Sequence, residues 1–410
     1  MKSIICASLL AGVAGLWPAT LAAQQLTLDE AVDRAVASAP EMVAGQATVD
    51  AARAEIRQAD VRPNPTVSVE AENFVGSGGF SVLEQPEVTV TYEQRIERGG
   101  KREARLGYAS RGLDLAQAEA RLARLELAQQ VQRAFIDIQI ADQMVWIAER
   151  RLETEREMQT EALRRVRGYR DPLFVETQAA ARVTSAELAL EQAEARSAAA
   201  RNLLASFWGG EGDGLEVSDG IERLASLQGE LAQADANVRD AAVAQASAEV
   251  VLEQSRATQD YTIGGGVRFL RETNDVALVA GISIPLGRFD RNEGNIDRAR
   301  AERRRLEAEA EADRLARLRR LAALRAEASA AARRADGLMH QVYPQAVRTL
   351  EQVREGYNRG GFRFSDVQDA ADTIIQVQQQ WADAMTMFRD AQSEIDRLTG
   401  RFDVAAETLP

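Results

Sequence analysis

Few side chains in this 410-residue sequence are placed to do chemistry, and those few are charged rather than nucleophilic. Asp366 and Asp369 stand three apart, just after the breaker pair Gly360-Gly361. At that spacing on a helix both carboxylates point to about the same side, roughly 100° from the apolar positions Val367 and Ala370. Repeated in several copies around one axis they would concentrate negative charge, attract cations and repel anions. The plainer alternative is local: Ser365 or Asp366 caps a helix, and Asp369 is a first-turn acid favoured by the helix dipole. His340 is the sole histidine and fits a helix surface or seam, while the sole cysteine, Cys6, lies in an N-terminal leader. That set does not assemble a tight transition-metal site. No Ser/His/Asp grouping, phosphate-cradling loop or catalytic carboxylate pair stands out, which points to a protein that is neither an enzyme nor a cofactor carrier. Gly264-Gly-Gly266 falls in a strand pattern and marks a bend or a close backbone approach.

The elements that would carry these residues occur twice. Thr66-Val-Ser-Val-Glu-Ala-Glu-Asn-Phe74 and Val88-Thr-Val-Thr-Tyr-Glu-Gln-Arg95 alternate apolar and polar residues, and a long Ala/Leu/Arg/Glu-rich stretch follows. Tyr261-Thr-Ile-Gly-Gly-Gly-Val-Arg-Phe269 and Ala280-Gly-Ile-Ser-Ile284 introduce a second such stretch. The turns align as Gly168-Tyr-Arg-Asp-Pro172 with Gly361-Phe-Arg-Phe-Ser365, a repeat of roughly 195 residues. Val367, Ala370, Ile374, Val377, Trp381, Ala384, Phe388, Ala391, Ile395 and Leu398 keep the 3-4 alternation of a coiled-coil seam. The fold class is therefore mainly α with a small β part, a duplicated strand pair plus long α-helical hairpin. We divide the chain into a signal peptide at 1–23, cleaved after Ala22 or Ala23, and a first repeat at 24–209. That repeat holds strands 66–74 and 87–95 and the hairpin 101–208. A second repeat at 210–400 holds helices in 222–257, strands 259–270 and 277–286 and the hairpin 292–399, and a tail follows at 401–410.

Composition narrows the setting. Aromatic residues make up 5% and charged residues 28%, a balance suited to narrow helical seams rather than one broad core. A net charge of −13 argues against nucleic acid, which needs concentrated basic patches. After the leader no apolar run reaches the ~18 residues of a transmembrane helix, so a membrane would be crossed by strands. Four amphipathic strands leave two edges, and lipid tolerates only closed barrels. Two copies would make an eight-stranded barrel filled by side chains, whereas three would make twelve strands. Helices of roughly 100 Å suit the trimer, and a soluble four-stranded cap on a coiled coil is the alternative. Tyr92, Tyr261 and Phe269 are either interfacial girdle aromatics or ordinary strand residues packed on a neighbour.

At this point the motifs resemble those of the outer-membrane efflux proteins of the TolC family. They are Leu26-Thr-Leu-Asp-Glu-Ala-Val32, Arg62-Pro-Asn-Pro65, Glu70-Ala-Glu-Asn-Phe74, Gly99-Gly-Lys-Arg102, Ile284-Pro-Leu286 and Asp290-Arg-Asn-Glu-Gly-Asn-Ile296. Arg-Pro-Asn-Pro and Gly-Gly-Lys-Arg look most like the heavy-metal, cobalt–zinc–cadmium branch. The resemblance implies a homotrimer with a twelve-stranded barrel in the Gram-negative outer membrane and an α-helical coiled-coil barrel crossing the periplasm. Its implied partners are outer-membrane lipid, a periplasmic membrane-fusion adaptor and an inner-membrane pump of the resistance–nodulation–division (RND) type.

It further implies that Asp366 and Asp369 line the channel constriction as a cation ring, and that Tyr357 and Arg363 latch a periplasmic gate. Gly168, Tyr169, Gly360, Gly361 and Phe362 would form the hairpin tips on which the adaptor docks. Where the family archetype has Thr and Asp, this chain has Leu173 and Phe174, so Asp171 is the substitute partner for the latch. Metal cations are the expected cargo. A multidrug or type I secretion duct of the same family, or a pore-less periplasmic adaptor, are the competing expectations.

Overall fold

The computed structural model describes residues 25–78, 85–218 and 227–403. The leader expected at 1–23 lies outside the described residues, as does most of the tail expected at 401–410.

The chain opens on α1 (Leu28–Ser38), capped by a reciprocal pair: the Glu30 amide donates to Thr27 Oγ1 (3.3 Å) and the Thr27 amide to the Glu30 carboxylate (3.0 Å). Pro40 starts α2 (Pro40–Ala59) at a position where its missing N–H costs nothing. Strands β1 (Thr66–Glu72) and β2 (Glu87–Ile96) lead into α3 (Lys101–Arg167), 67 residues or about 100 Å long. Helix α4 (Phe174–Ser206) returns along α3, and α5 (Gln233–Arg256) continues beside it towards the sheet. Strands β3 (Tyr261–Leu270) and β4 (Asp275–Ser283) then feed α6 (Glu293–Gly337), a π-helical turn Leu338–Val342, α7 (Tyr343–Arg359) and α8 (Phe364–Thr399).

Several bounds differ from the sequence expectation for local reasons. Strand β1 stops at Glu72 because Asn73 adopts φ 56°, and Asn274 at φ 53° lets β4 begin at Asp275. Segment 227–232, expected in a helix, is not helical; Leu227 and Leu231 pack on the α6/α8 core, and Arg325 donates to the Leu227 carbonyl at 2.8 Å. The seam on α8 is buried apart from Ile374 and Trp381, which are half-buried.

The four strands form one antiparallel sheet in chain order. Its register puts Val69 opposite Val90, Val90 opposite Val267, and Val267 opposite Leu278. The same face carries Val67, Val88, Tyr92, Ile263, Phe269, Val276 and Ile282, all of them exposed. Tyr261 and Phe269 stand at the two ends of β3 and Tyr92 in mid-sheet opposite Gly265. The opposite face carries Glu70, Glu72, Glu87, Glu93, Thr89 and Thr91, with Arg268 within 3.4 Å of Glu72 and 3.2 Å of Glu87. Gly266 marks a close backbone approach: a Cβ there would lie 2.3 Å from the Val90 carbonyl oxygen.

All long helices leave the sheet at one end, where Asp260 gathers the connections. Its carboxylate accepts from Arg95 (3.0 and 2.6 Å), the Arg98 amide (3.1 Å) and Lys101 Nζ (2.6 Å), joining the β2–α3 junction to the start of β3. This accounts for Gly99-Gly-Lys-Arg102. Both glycines take positive φ (70° and 71°), a Cβ on Gly99 would lie 2.6 Å from Thr258, and Arg102 reaches the carbonyl of Asp60 at the end of α2 (2.8 Å). At the second junction Asn292 (φ 60°) takes the place of Gly100 and donates to the Glu253 carbonyl (2.9 Å) and carboxylate (2.7 Å).

Gly266→Ala should force β2 and β3 apart at a cost of about 1–3 kcal/mol and lower the yield of assembled, detergent-stable protein. Gly281→Ala, whose Cβ meets nothing within 4 Å, should assemble normally. Gel mobility of unheated samples in SDS distinguishes them, and equal yields would show that the close approach is unimportant.

Candidate functional site at the helical tips

Far from the sheet both hairpins turn through the same helix-ending motif. In the second, the Gly361 amide donates to the Gly356 carbonyl (2.8 Å) and the Gly360 amide to Tyr357 (2.9 Å), with Gly360 at φ 84°. In the first, the Arg170 amide donates to Arg165 (2.9 Å) and the Tyr169 amide to Val166 (3.0 Å). The left-handed position is held there by Tyr169, at φ 57°. The structure therefore equates Tyr169 with Gly360, correcting the expected match of Gly168 with Gly361. Glycine alone is a poor guide to a left-handed position when a larger residue occupies its counterpart. Tyr169 is 98% exposed, and Leu173, Phe174 and Phe362 are also exposed. Phe362 lies over Gly356, where a Cβ would come 2.1 Å from its ring.

Beneath this surface sits a closed polar cluster. Arg165, buried, pairs with Asp171 through two hydrogen bonds (2.9 and 3.1 Å) and stacks 4.1 Å above the Tyr357 ring. It also donates to the Tyr357 carbonyl, while the Tyr357 hydroxyl donates to Asp171. Tyr357 is 1% exposed and meets Phe364 at 5.9 Å between ring centroids. Of the expected latch residues, Tyr357 and Asp171 are thus brought together. Arg363 is not: its side chain is exposed, and Arg165 occupies the cationic place beside Asp171. The sequence offered no signal for Arg165, because its second partner lies on another helix almost the whole length of a repeat away.

The two aspartates differ in setting. Asp366 is half-buried and turns back to accept from the Arg363 amide (2.7 Å), closing the first turn of α8. Asp369 is exposed one turn further on. Above them Gln178 donates to Gln368 (3.1 Å), and Arg182 forks onto Asp372 (2.7 and 2.8 Å), reaching buried Glu155 at 3.5 Å. Arg354 bridges Glu157 (3.2 Å) and Glu161 (2.8 Å). These contacts tie the α3–α4 hairpin to α7 and α8 and were not anticipated. His340 pairs with Asp336 (3.0 Å) on an exposed surface, and among the described residues no three His, Cys, Asp or Glu side chains are grouped to hold a metal ion.

The comparisons with known proteins agree with this architecture. The family model described as "Outer membrane efflux protein" matches residues 31–210. The cobalt-zinc-cadmium resistance protein CzcC of Cupriavidus metallidurans is 30% identical over 388 residues, covering 93% of this chain and 91% of that protein. The chain belongs to the outer membrane efflux protein family. It is an efflux channel of the Gram-negative outer membrane, which sets aside the pore-less adaptor. The nickel-cobalt-cadmium resistance protein NccC of Alcaligenes xylosoxydans xylosoxydans is 30% identical over 279 residues, covering 65% of this chain and 62% of that protein. Among solved structures, the outer membrane protein VceC of Vibrio cholerae superposes with a TM-score of 0.74 at 19% identity, covering 91% of this chain and 96% of that one. CusC superposes at 0.75 and 15% identity, covering 90% and 91%. These two show the fold.

Electrostatics make the tip cluster insensitive to ordinary pH. The hydrogen bond from Arg165, assisted by that from Tyr357, outweighs burial and holds the Asp171 carboxyl below the usual carboxylate range. Burial first, then Asp171, raises the Tyr357 phenol. A depressed folded-state pKa contributes stability above the unfolded value of about 3.9, and that contribution is lost only as pH falls through the folded value. Hydrogen-exchange protection at 168–173 should therefore stay level from neutral pH to about pH 5 and decline only in the acid range below. Asp171→Ala should remove about 3 kcal/mol of local stability by leaving Arg165 unpaired, a roughly hundredfold faster exchange there. Unchanged exchange would show that the cluster does not hold the turn.

Proposed function

We propose that three copies of this chain form the exit duct of a tripartite efflux system, passing heavy-metal cations from an inner-membrane RND pump and its periplasmic adaptor to the exterior. The observation that carries the reading is the sheet: one whole face apolar and exposed, the other polar, and β1 and β4 unpaired at its edges. In lipid those edges need partners, and joining β4 of each copy to β1 of the next gives a closed twelve-stranded barrel. Its lumen would carry Glu70, Glu72, Glu87 and Glu93 against Arg268, a surplus of negative charge that favours cations. Metal cargo is supported by the relatives, which are named cobalt-zinc-cadmium and nickel-cobalt-cadmium resistance proteins.

In this reading the duct performs no catalysis. The tips are its gate and the adaptor's docking surface, with Gly168, Tyr169, Gly360, Gly361 and Phe362 presented outward. Asp171, Arg165 and Tyr357 hold each chain's two hairpins together in the closed state. Arg363, free of that cluster, is available to a neighbouring copy. Asp366 and Asp369 together would crowd six carboxylates at the narrowest ring, and capping α8 with one oxygen of Asp366 leaves the other to face the lumen.

In planar bilayers, replacing both with Asp366→Asn and Asp369→Asn should weaken divalent-cation block of the single-channel current at least tenfold, with conductance in monovalent salt little changed. Unchanged block would remove the ring assignment. A deletion strain should be hypersensitive to cobalt, zinc or cadmium; normal metal tolerance with raised drug sensitivity would redirect the cargo.

A further inference from the structure

The loop from β4 to α6 presents apolar side chains that nothing among the described residues covers. Leu286 is 88% exposed and Phe289 92%, and Ile284 is half exposed beside them. The loop is nevertheless firmly held. The Arg288 amide donates to the Leu286 carbonyl (2.7 Å) in a tight turn, and Gly287 approaches Gln259 so closely that a Cβ would lie 3.1 Å from its side chain. Further on, Asp290 accepts from the Asn292 amide (2.9 Å), and Asn292 is fastened to Glu253. A braced turn that holds two large apolar groups outward calls for something to cover them.

Its place in the fold says what. Ile282 and Leu278 lie on the apolar face of β4, and Ile284 continues the same alternation beyond the end of the strand. The loop also sits at the end of the sheet from which the helices depart, in the row that contains Tyr261. Arg288 stacks 5.5 Å from the Phe289 ring centroid and Arg98 5.9 Å from that of Tyr261. Arg291 is exposed close by, Asp290 between the two arginines is engaged in the turn, and Glu293 is exposed beyond them at the start of α6. Apolar tips backed by guanidinium groups at the rim of a lipid-facing surface match the boundary between acyl chains and phosphate headgroups.

We propose that segment 284–291 seats Leu286 and Phe289 in the phospholipid leaflet on the helix side of the barrel, with Arg288 and Arg291 at phosphate level. This anchor would fix the depth and tilt of each copy, and it rests on the barrel reading of the sheet. The test uses the full-length protein reconstituted in phosphatidylethanolamine/phosphatidylglycerol vesicles, with Cys6→Ser so that each introduced thiol is the only one. Nitroxide labels go on Phe289→Cys, on Leu286→Cys as a second reporter, on Leu278→Cys within the apolar face, and on Tyr169→Cys as a water reference.

We expect labels at 289 and 286 to collide with oxygen in preference to a water-soluble nickel chelate, by a ratio at least about threefold above that at 169. A ratio like that at 169 would place the loop in water. Inaccessibility to both reagents would place it under a neighbouring copy. Either result overturns the anchor while a lipid-exposed 278 leaves the barrel standing, whereas a water-exposed 278 overturns the barrel itself.

Discussion

Everything in this molecule follows from an incomplete sheet. A four-stranded antiparallel sheet with one exposed apolar face is unstable in water because of that face, and unstable in lipid because of its two edges. In the proposed barrel, closure with other copies relieves both. Antiparallel pairing in chain order places the starts of β1 and β3 and the ends of β2 and β4 at one rim. The helices accordingly all depart from that end, where Asp260 ties the β2–α3 junction to the start of β3 and Asn292 ties the start of α6 to α5.

Length carries that geometry to the tips. Helix α3 spans about 100 Å, so a small angular error at the sheet would become a large displacement at the turn. Two features limit it. The seams are lined with alanine, which lets helices approach closely, and the Arg182–Asp372, Gln178–Gln368 and Arg354–Glu161 contacts lock α3 and α4 to α7 and α8 shortly before the turns. The Arg165–Asp171–Tyr357 cluster then closes the end. Arg165 and Tyr357 are buried there and joined to Asp171 by charge-assisted hydrogen bonds, so the cluster holds the two turns together. The strained backbone of Tyr169 belongs to the same logic, because an aromatic is kept at the apex where glycine would be more comfortable.

Much of this architecture was legible from residue order. The period-2 strands, the 3-4 seam of α8 and the duplication are local patterns, and local patterns survive in one dimension. The motif Gly99-Gly-Lys-Arg102 was visible as well, although not its purpose, since Asp260 lies far along the chain. Less was legible at the tips. The family resemblance implied Arg363 as the latch cation, yet it is Arg165 that reaches Asp171 within the chain. The turn alignment failed for a related reason: it matches Gly168 with Gly361, whereas the left-handed residues that correspond are Tyr169 and Gly360.

The sequence by itself determined the kind of object: repeated strand pairs too few to close, helices too long for a globule, and a family resemblance borne by short motifs. Periodicity and composition suffice for these because each element's preference is written in its own neighbours. Tertiary structure alone decided which charges meet. Arg165 with Tyr357, Arg182 with Asp372 and Asp260 with Lys101 join residues distant in the chain. Which of many arginines and carboxylates pair depends on helix rotation and register, quantities that arise only when the long elements pack.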